Sequence, residues 1–253
     1  MYLTSLKRCL LSGLSVSRVF SNITKTPDFL TTLKNYDRAN INGPFSIKPS
    51  EIYPMLGDFE QEAGSYRGHY FYQDLWAARK IYGMRPEKHL DIGSRIDGFI
   101  AHLLVFMPVV VLDIRDIKSN VEGLSFCRSD ATSLSEFDDD SVESLSSLHA
   151  VEHFGLGRYG DPVDPESCFK VMQELCRVLK PGGRLYFSVP VGKERVQFNA
   201  HRIFSPLTIL KRFNGLKLVS FSAVNDSGEF DFYADTNEYL DSDYSCGLFE
   251  FTK

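Results

Sequence analysis

Residues 89–98, His-Leu-Asp-Ile-Gly-Ser-Arg-Ile-Asp-Gly, constrain the fold more than any other stretch of the chain. An apolar approach through Leu90 and Ile92 carries one acid, Asp91, and stops at Gly93 and Ser94. The apolar run 99–104 behind it suits a buried helix. A strand that ends in glycine and turns at once into a helix brings bare backbone N–H groups to the carboxyl edge of an open α/β sheet, where such sheets bind ligands. Gly93 lets backbone approach a ligand with no Cβ in the way. Asp91 can accept hydrogen bonds or face a cation. The Gly-x-Gly-x-x-Gly pattern that cradles a pyrophosphate is missing, because Arg95 holds its second glycine position. The spacing D-x-G-x-x-x-x-G suits an amino acid joined to a nucleoside better than a diphosphate.

The elements that follow alternate as a doubly wound sheet requires. Residues 108–112 are a valine-rich run suited to a buried parallel strand, and Asp113 stands at its tip, 20 residues after Gly93. One carboxylate there can accept from both hydroxyls of a ribose; Asp116 is the substitute one turn on. A short third strand from 124 leads to Asp130 and Ala131. The acids Asp138, Asp139 and Asp140 read as a solvated turn rather than a metal site. A fourth strand near 144–148 opens into His149-Ala-Val-Glu-His-Phe, which places Glu152 and His153 at the same edge. His149 reads either as a cofactor contact or as a histidine satisfied at a strand end. The glycine-rich loop 155–162, with Asp161, is a candidate substrate loop and lacks the Gly-Lys-Ser/Thr of a P-loop. Asp164-Pro165 opens a helix with a buried stripe of Phe169, Met172, Leu175, Cys176 and Leu179. Lys180-Pro-Gly-Gly stops it before a fifth strand at 184–190. His201 sits on the loop before a helix capped by Ser205-Pro206. Segments 216–224 and 248–252 read as two antiparallel edge strands, separated by an acidic insert or lid at 225–245 that holds seven acids.

These motifs together resemble the class I S-adenosylmethionine-dependent methyltransferases from about residue 70 to the end. The Asp-Ile-Gly-Ser stretch resembles their first motif. The run L-C-R-V-L-K-P-G-G-R-L-Y-F-S-V-P is the most specific match, and it serves the fold. The resemblance implies an α/β, Rossmann-like three-layer sandwich with a seven-stranded, mostly parallel sheet containing one antiparallel strand. It implies S-adenosyl-L-methionine as cofactor, held by Asp91, Gly93, Ser94, Arg95, Asp113, Asp130, Ala131 and His149. Arg95 and Asp97 depart from the glycines usual there. The His-Ala-Val-Glu-His-Phe-Gly-Leu-Gly-Arg-Tyr-Gly-Asp-Pro and Asn-Ala-His-Arg runs resemble a small family associated with surface-polysaccharide biosynthesis, which implies a sugar or glycan-precursor acceptor. Methyl transfer from a sulfonium needs alignment above all. A hydroxyl acceptor also needs a base, and His153 or His201 is suited to that near neutral pH, with Glu152 or Asp161 orienting the acceptor or the base. A metal-assisted alternative would use Asp161, Asp164 and Glu152. A different class of function is a non-catalytic Rossmann-like scaffold on a membrane-bound assembly, with Arg95 closing the pocket.

Net charge of −5 implies no large basic field and no nucleic-acid partner. Five cysteines without metal-ligand spacing read as reduced thiols of a cytoplasmic protein with no bound metal. The chain divides into an extension, 1–60, and a methyltransferase domain, 61–253. Residues 1–27 carry Lys7, Arg8, Arg18 and Lys25 and no acid, with Leu3, Leu6, Leu10 and Leu14 at helical spacing. They read as a helix docked on the domain or on a second subunit of a homo-oligomer, or as a basic amphipathic helix in peripheral contact with the inner face of a membrane. A helix at 70–82, stopped by Gly83 and Pro86, precedes the first strand. Tyr66, Arg67 and His69 ahead of it read as ligand contacts or as a polar turn.

Overall fold

The alternating apolar strands and amphipathic helices of residues 66–253 close into a sheet covered on both faces. The computed structural model describes residues 16–40, 43–56, 64 and 66–253. They fall in two units, Met1–Ser65 and Tyr66–Lys253. The first holds helix α1 (Val16–Ala39) and a single 3-10 turn at Pro49–Glu51. In α1 the hydroxyls of Thr31 and Thr32 donate to the carbonyls of Pro27 and Asp28. Leu3, Leu6, Leu10 and Leu14 lie outside the described residues. Among the described residues no helix is long and apolar enough to cross a membrane.

The second unit starts with α2 (His69–Met84), which leads into β1 (His89–Ile92). After Gly93 come a π-helical turn (Ile96–Ile100) and α3 (Ala101–Leu104). Strands β2 (Val109–Asp113), β3 (Leu124–Arg128) and β4 (Val142–Leu148) follow. Helix α4 (Ser167–Val178) runs directly into β5 (Leu179–Val191). A small hairpin, β6 (Arg195–Gln197) and β7 (His201–Ile203), precedes α5 (Pro206–Arg212). The chain ends with β8 (Lys217–Val224), the two-residue β9 (Phe230–Asp231) and β10 (Ser245–Thr252). The sheet order is β3-β2-β1-β4-β5-β10-β8-β9. Strands β1 to β5 pair in parallel, and β10 runs antiparallel to both β5 and β8.

The three-layer sandwich is therefore as expected, with β10 as the antiparallel strand of a seven-stranded core and β9 added outside β8. Side chains alternate across it as the strand period dictates. Leu185 and Phe187 pack on the face that α4 and α5 cover, whereas Tyr186 between them packs with Trp76 and Ile81 of α2 on the other. Strand β10 is an inner strand, not an edge, because β8 lies beyond it. Helix α2 continues past Gly83 and ends at Arg85, whose left-handed conformation (φ 53°) returns its N–H to the Ile81 carbonyl. Its guanidinium stacks 3.5 Å from the Tyr82 ring, which helps a non-glycine residue hold that position. At Gly98 a Cβ would meet the Asp74 carboxylate of α2, which would have to turn aside.

A buried polar chain crosses the middle of the sheet. His89 Nδ1 and Nε2 lie 2.7 Å from the hydroxyls of Ser144 and Ser146, and Ser146 donates its one hydrogen to Asp91. Ser146 must then accept from His89 Nε2–H, which leaves Nδ1 to accept from Ser144. Burial fits this neutral tautomer, driving the His89 pKa down to about 3. Unfolding therefore takes up a proton at His89 between about pH 3 and the ordinary imidazole value of 6.5, so stability falls as pH drops through that window. Asp91, pushed up to about 6 by burial, acts in the opposite sense between 3.8 and 6. Comparing wild type with His89→Asn isolates the histidine. In urea unfolding, the stability advantage of wild type is expected to shrink on going from pH 7 to 4.5, by at most about 1.4 kcal/mol per pH unit. A pH-independent difference would contradict a neutral, buried His89.

Candidate active site

The carboxyl ends of β1, β2 and β4 open on one cleft of about 1380 Å³. That is larger than a pocket for one drug-sized molecule, which runs to about 1000 Å³, and leaves room for two reactants. Gly93 begins its floor. Its φ of 72° and the Ala150 Cβ, which an added Cβ would meet at 3.2 Å, make a side chain there strained as well as crowded. Of the residues that the sequence assigns to the cofactor or to catalysis, Gly93, Ser94, Arg95, Asp113, Asp130, Ala131, His149, Glu152, His153, Asp161 and His201 line the cleft, and Asp91 does not.

Asp91 is instead fully buried behind it. Its carboxylate accepts from the Ser94 N–H at 2.9 Å, from the Ser94 hydroxyl at 2.7 Å and from Ser146. It shapes the turn, and Ser94 and Gly93 present themselves to the cleft. The Ser94 hydroxyl also accepts from the Leu148 N–H, which ties the turn to β4. Arg95 does not fill the cavity. Its side chain is 64% exposed and makes a two-pronged pair with Asp97.

Asp113 is at the β2 tip, next to the Gly93 turn, whose N–H bonds the Leu112 carbonyl. Its carboxylate accepts from the Arg115 backbone N–H at 2.8 Å and from Nε and Nη2 of the Arg115 guanidinium at 2.9 and 2.6 Å. Burial opposes ionisation of Asp113, but the Arg115 hydrogen bonds and charge outweigh it and hold its pKa below the ordinary carboxylate value. Arg115 also lies 4.8 Å from the Tyr159 ring, across the cleft. The Asp-x-Arg spacing was there to be read in the sequence, but a lone arginine after a strand gives no sign that it folds back. Asp130 is exposed, with Oδ1 bound to the N–H and hydroxyl of Thr132, and the Ala131 beside it is buried.

The β4 end gathers the ionisable groups. Glu152 is buried to 1% exposure; its Oε1 accepts from His149 Nδ1–H at 2.7 Å and lies 3.7 Å from His153 Nε2, while Oε2 has no partner. Burial opposes the Glu152 charge, but His149 overrides it, and the carboxyl is held below its ordinary value. His153 Nδ1–H donates to the Ala200 carbonyl at 2.7 Å, so in the neutral ring Nε2 is the bare nitrogen. Burial lowers the His153 pKa and keeps it neutral near pH 7. His201 reaches the same space from β7, 6.4 Å from His153 between ring centres; its Nε2 is buried without a partner, and burial lowers its pKa as well.

Asp161 lines the cleft, but its carboxylate is engaged by the backbone N–H groups of Gly155, Gly157 and Tyr159. Asp164 is likewise engaged by Glu166 N–H, Ser167 and Lys170. Both acids hold the 155–166 loop in shape. The acidic insert is ordered in the same manner. Asp226 accepts from the N–H groups of Asp243 and Tyr244 and from the Ser245 hydroxyl, and this sets the Tyr244 ring 5.0 Å from both His69 and His201. Tyr70, Phe154, Tyr159 and Tyr244 give the cleft aromatic surface. Tyr66, Arg67 and His69 do not line it.

Solved structures share this architecture at low identity. They include the [4+2]-cyclase SpnF (TM-score 0.52, 13% identity, 71% of this chain and 81% of that one). The N-methyltransferase NodS from Bradyrhizobium japonicum WM9, in complex with S-adenosyl-L-homocysteine, matches with TM-score 0.51 and 12% identity over 73% of this chain and 87% of that one. The Burkholderia thailandensis 1,6-didemethyltoxoflavin-N1-methyltransferase, with S-adenosylhomocysteine bound, matches with TM-score 0.50 and 14% identity over 72% and 78%. The chain therefore has the class I S-adenosylmethionine-dependent methyltransferase fold. A cyclase among these structures shows that the fold alone does not fix the reaction. No curated protein sequence matches the chain. A family profile matches residues 107–244, more than half of the chain, and assigns it to the family described as Caenorhabditis protein of unknown function, DUF268.

Proposed function

We propose that the protein is an S-adenosylmethionine-dependent methyltransferase acting on a hydroxyl of a small molecule of the sugar or glycan-precursor type. One observation carries this reading: the Gly93 turn, Asp113 and His153, whose Nδ1–H is taken by the Ala200 carbonyl, all line one open cleft large enough for two reactants. The residues present fit the methyl donor. The Gly93 turn leaves no space for a side chain but accepts a close ligand, and Asp113 can meet a ribose once Arg115 moves off its carboxylate. Ala131 offers a backbone N–H beside the exposed Asp130. Bound there, S-adenosylmethionine supplies an electrophilic methyl group whose departure leaves a neutral thioether.

The chain's own groups supply alignment and the base. Neutral His153 takes the acceptor proton on Nε2, and its Nδ1–H bond to Ala200 fixes the ring for that task. Glu152, ionised and buried beside it, stabilises the imidazolium that results. His201, with its unpartnered nitrogen, is the second basic group over the same space. The tyrosine faces offer apolar surface to the C–H side of a sugar ring, and Arg158, beside His153, offers a donor to its hydroxyls.

Saturating S-adenosylhomocysteine, at 100 times its dissociation constant, is expected to stabilise the protein by roughly 2.7 kcal/mol. Asp113→Ala should weaken that binding at least tenfold by calorimetry. Absence of any shift would sink the reading. With a panel of sugar acceptors, read by methyl-donor consumption, His153→Ala should keep S-adenosylhomocysteine affinity and lose about 10²–10⁴ in turnover. Because burial lowers the His153 pKa, wild-type turnover should hold below pH 6.5 and fall only under the shifted value. Wild-type turnover in both His153→Ala and His201→Ala would remove the general base.

A further inference from the structure

Three side chains far apart in the sequence meet beside the cleft, which one of them, His149, lines. His69 is the first residue of α2, His149 follows the end of β4, and Cys246 is the second residue of β10. Their potential ligand atoms all lie within 4.8 Å of one another. His69 Nδ1 and His149 Nε2 are 3.1 Å apart. A tetrahedral centre with metal–nitrogen bonds of about 2.0–2.1 Å sets two such nitrogens ~3.3 Å apart. We infer that His69, His149 and Cys246 form a binding site for a zinc-type divalent cation, with a fourth position left to water or to a ligand.

The surroundings have the chemistry such a site needs. A ligating histidine normally donates its remote N–H to a carboxylate or backbone carbonyl, which fixes the ring and raises its basicity. His149 does this through Nδ1–H to Glu152. Charge also balances. A dication, the Cys246 thiolate and the Glu152 carboxylate sum to zero with both rings neutral, inside a region where Cys246 is fully buried and Glu152 nearly so. His149 also holds a positive φ of 48°, a conformation that costs a non-glycine residue energy and here aims its ring at His69 and Glu152. One thiolate and two imidazoles favour zinc over the hard cations magnesium and calcium. Three protein ligands beside a cleft that His149 itself lines match the pattern of sites that keep one position open.

This site stands independently of the methyltransferase reading, and one preparation tests both. The full chain, purified without chelator, is assayed for metal content, then stripped and refilled with cobalt(II). One zinc per chain is expected, with a thiolate-to-cobalt charge-transfer band that disappears in Cys246→Ser. His69→Ala, at a less buried position, should weaken zinc binding at least tenfold while circular dichroism shows the fold retained. Folded wild-type protein that takes up neither zinc nor cobalt overturns the site. So does uptake of one equivalent by both variants with wild-type affinity. S-adenosylhomocysteine binding on the same sample separates the two claims, since zinc without it leaves this site standing and its presence without zinc leaves only the other.

Discussion

The Asp91 carboxylate is the point from which the cleft is built. It sits fully buried at the end of β1 and accepts hydrogen bonds from the backbone and side chain of Ser94 and from Ser146 of β4. An ionised carboxyl in the sheet interior costs several kcal/mol unless such donors compensate it. Because they are supplied by the turn and by the neighbouring strand, folding the turn correctly is the condition for burying the charge. Gly93 follows with a positive φ, where an added Cβ would crowd Ala150, and its backbone begins the cleft floor.

The remaining charges divide by whether they are already engaged. Asp161, Asp164 and Asp226 spend their oxygens on backbone N–H groups and thereby hold loops that have little apolar surface of their own. Glu152 and His201 keep unpartnered buried atoms, and His153 keeps a bare nitrogen beside them. Unsatisfied polar atoms are expensive in a protein interior, and where they converge on a cavity they mark a site built for something the cavity holds. Asp113 is between these cases, since its partner Arg115 is more than half exposed and can swing away.

Much of this was legible from sequence, for definite reasons. A glycine directly after an apolar strand, an acid at the next strand tip and Lys-Pro-Gly-Gly before the fifth strand are local signals that work over a few residues, and they located β1, β2, β5 and the cleft. Asp91 faces its own turn and not the cleft, and a strand-end acid reads the same in sequence in either case. The position of β10 between β5 and β8 depends on non-local pairing that strand composition does not encode. Gly83 signals the end of α2, and the helix runs one residue past it to Met84, with Arg85 rather than the glycine in the left-handed cap position. Most telling is the His69, His149 and Cys246 cluster. A search for short cysteine and histidine spacings could not find ligands that only the fold brings together.

The central claim is that the cleft over β1 and β2 receives an amino-acid-bearing nucleoside. A crystal structure of the protein grown with S-adenosylhomocysteine tests it most directly. The account predicts ligand density between the Gly93 turn and Asp113, with the ribose on the Asp113 carboxylate and the Arg115 guanidinium displaced from it. Density elsewhere, or an Asp113–Arg115 pair still closed at saturating ligand, would contradict it.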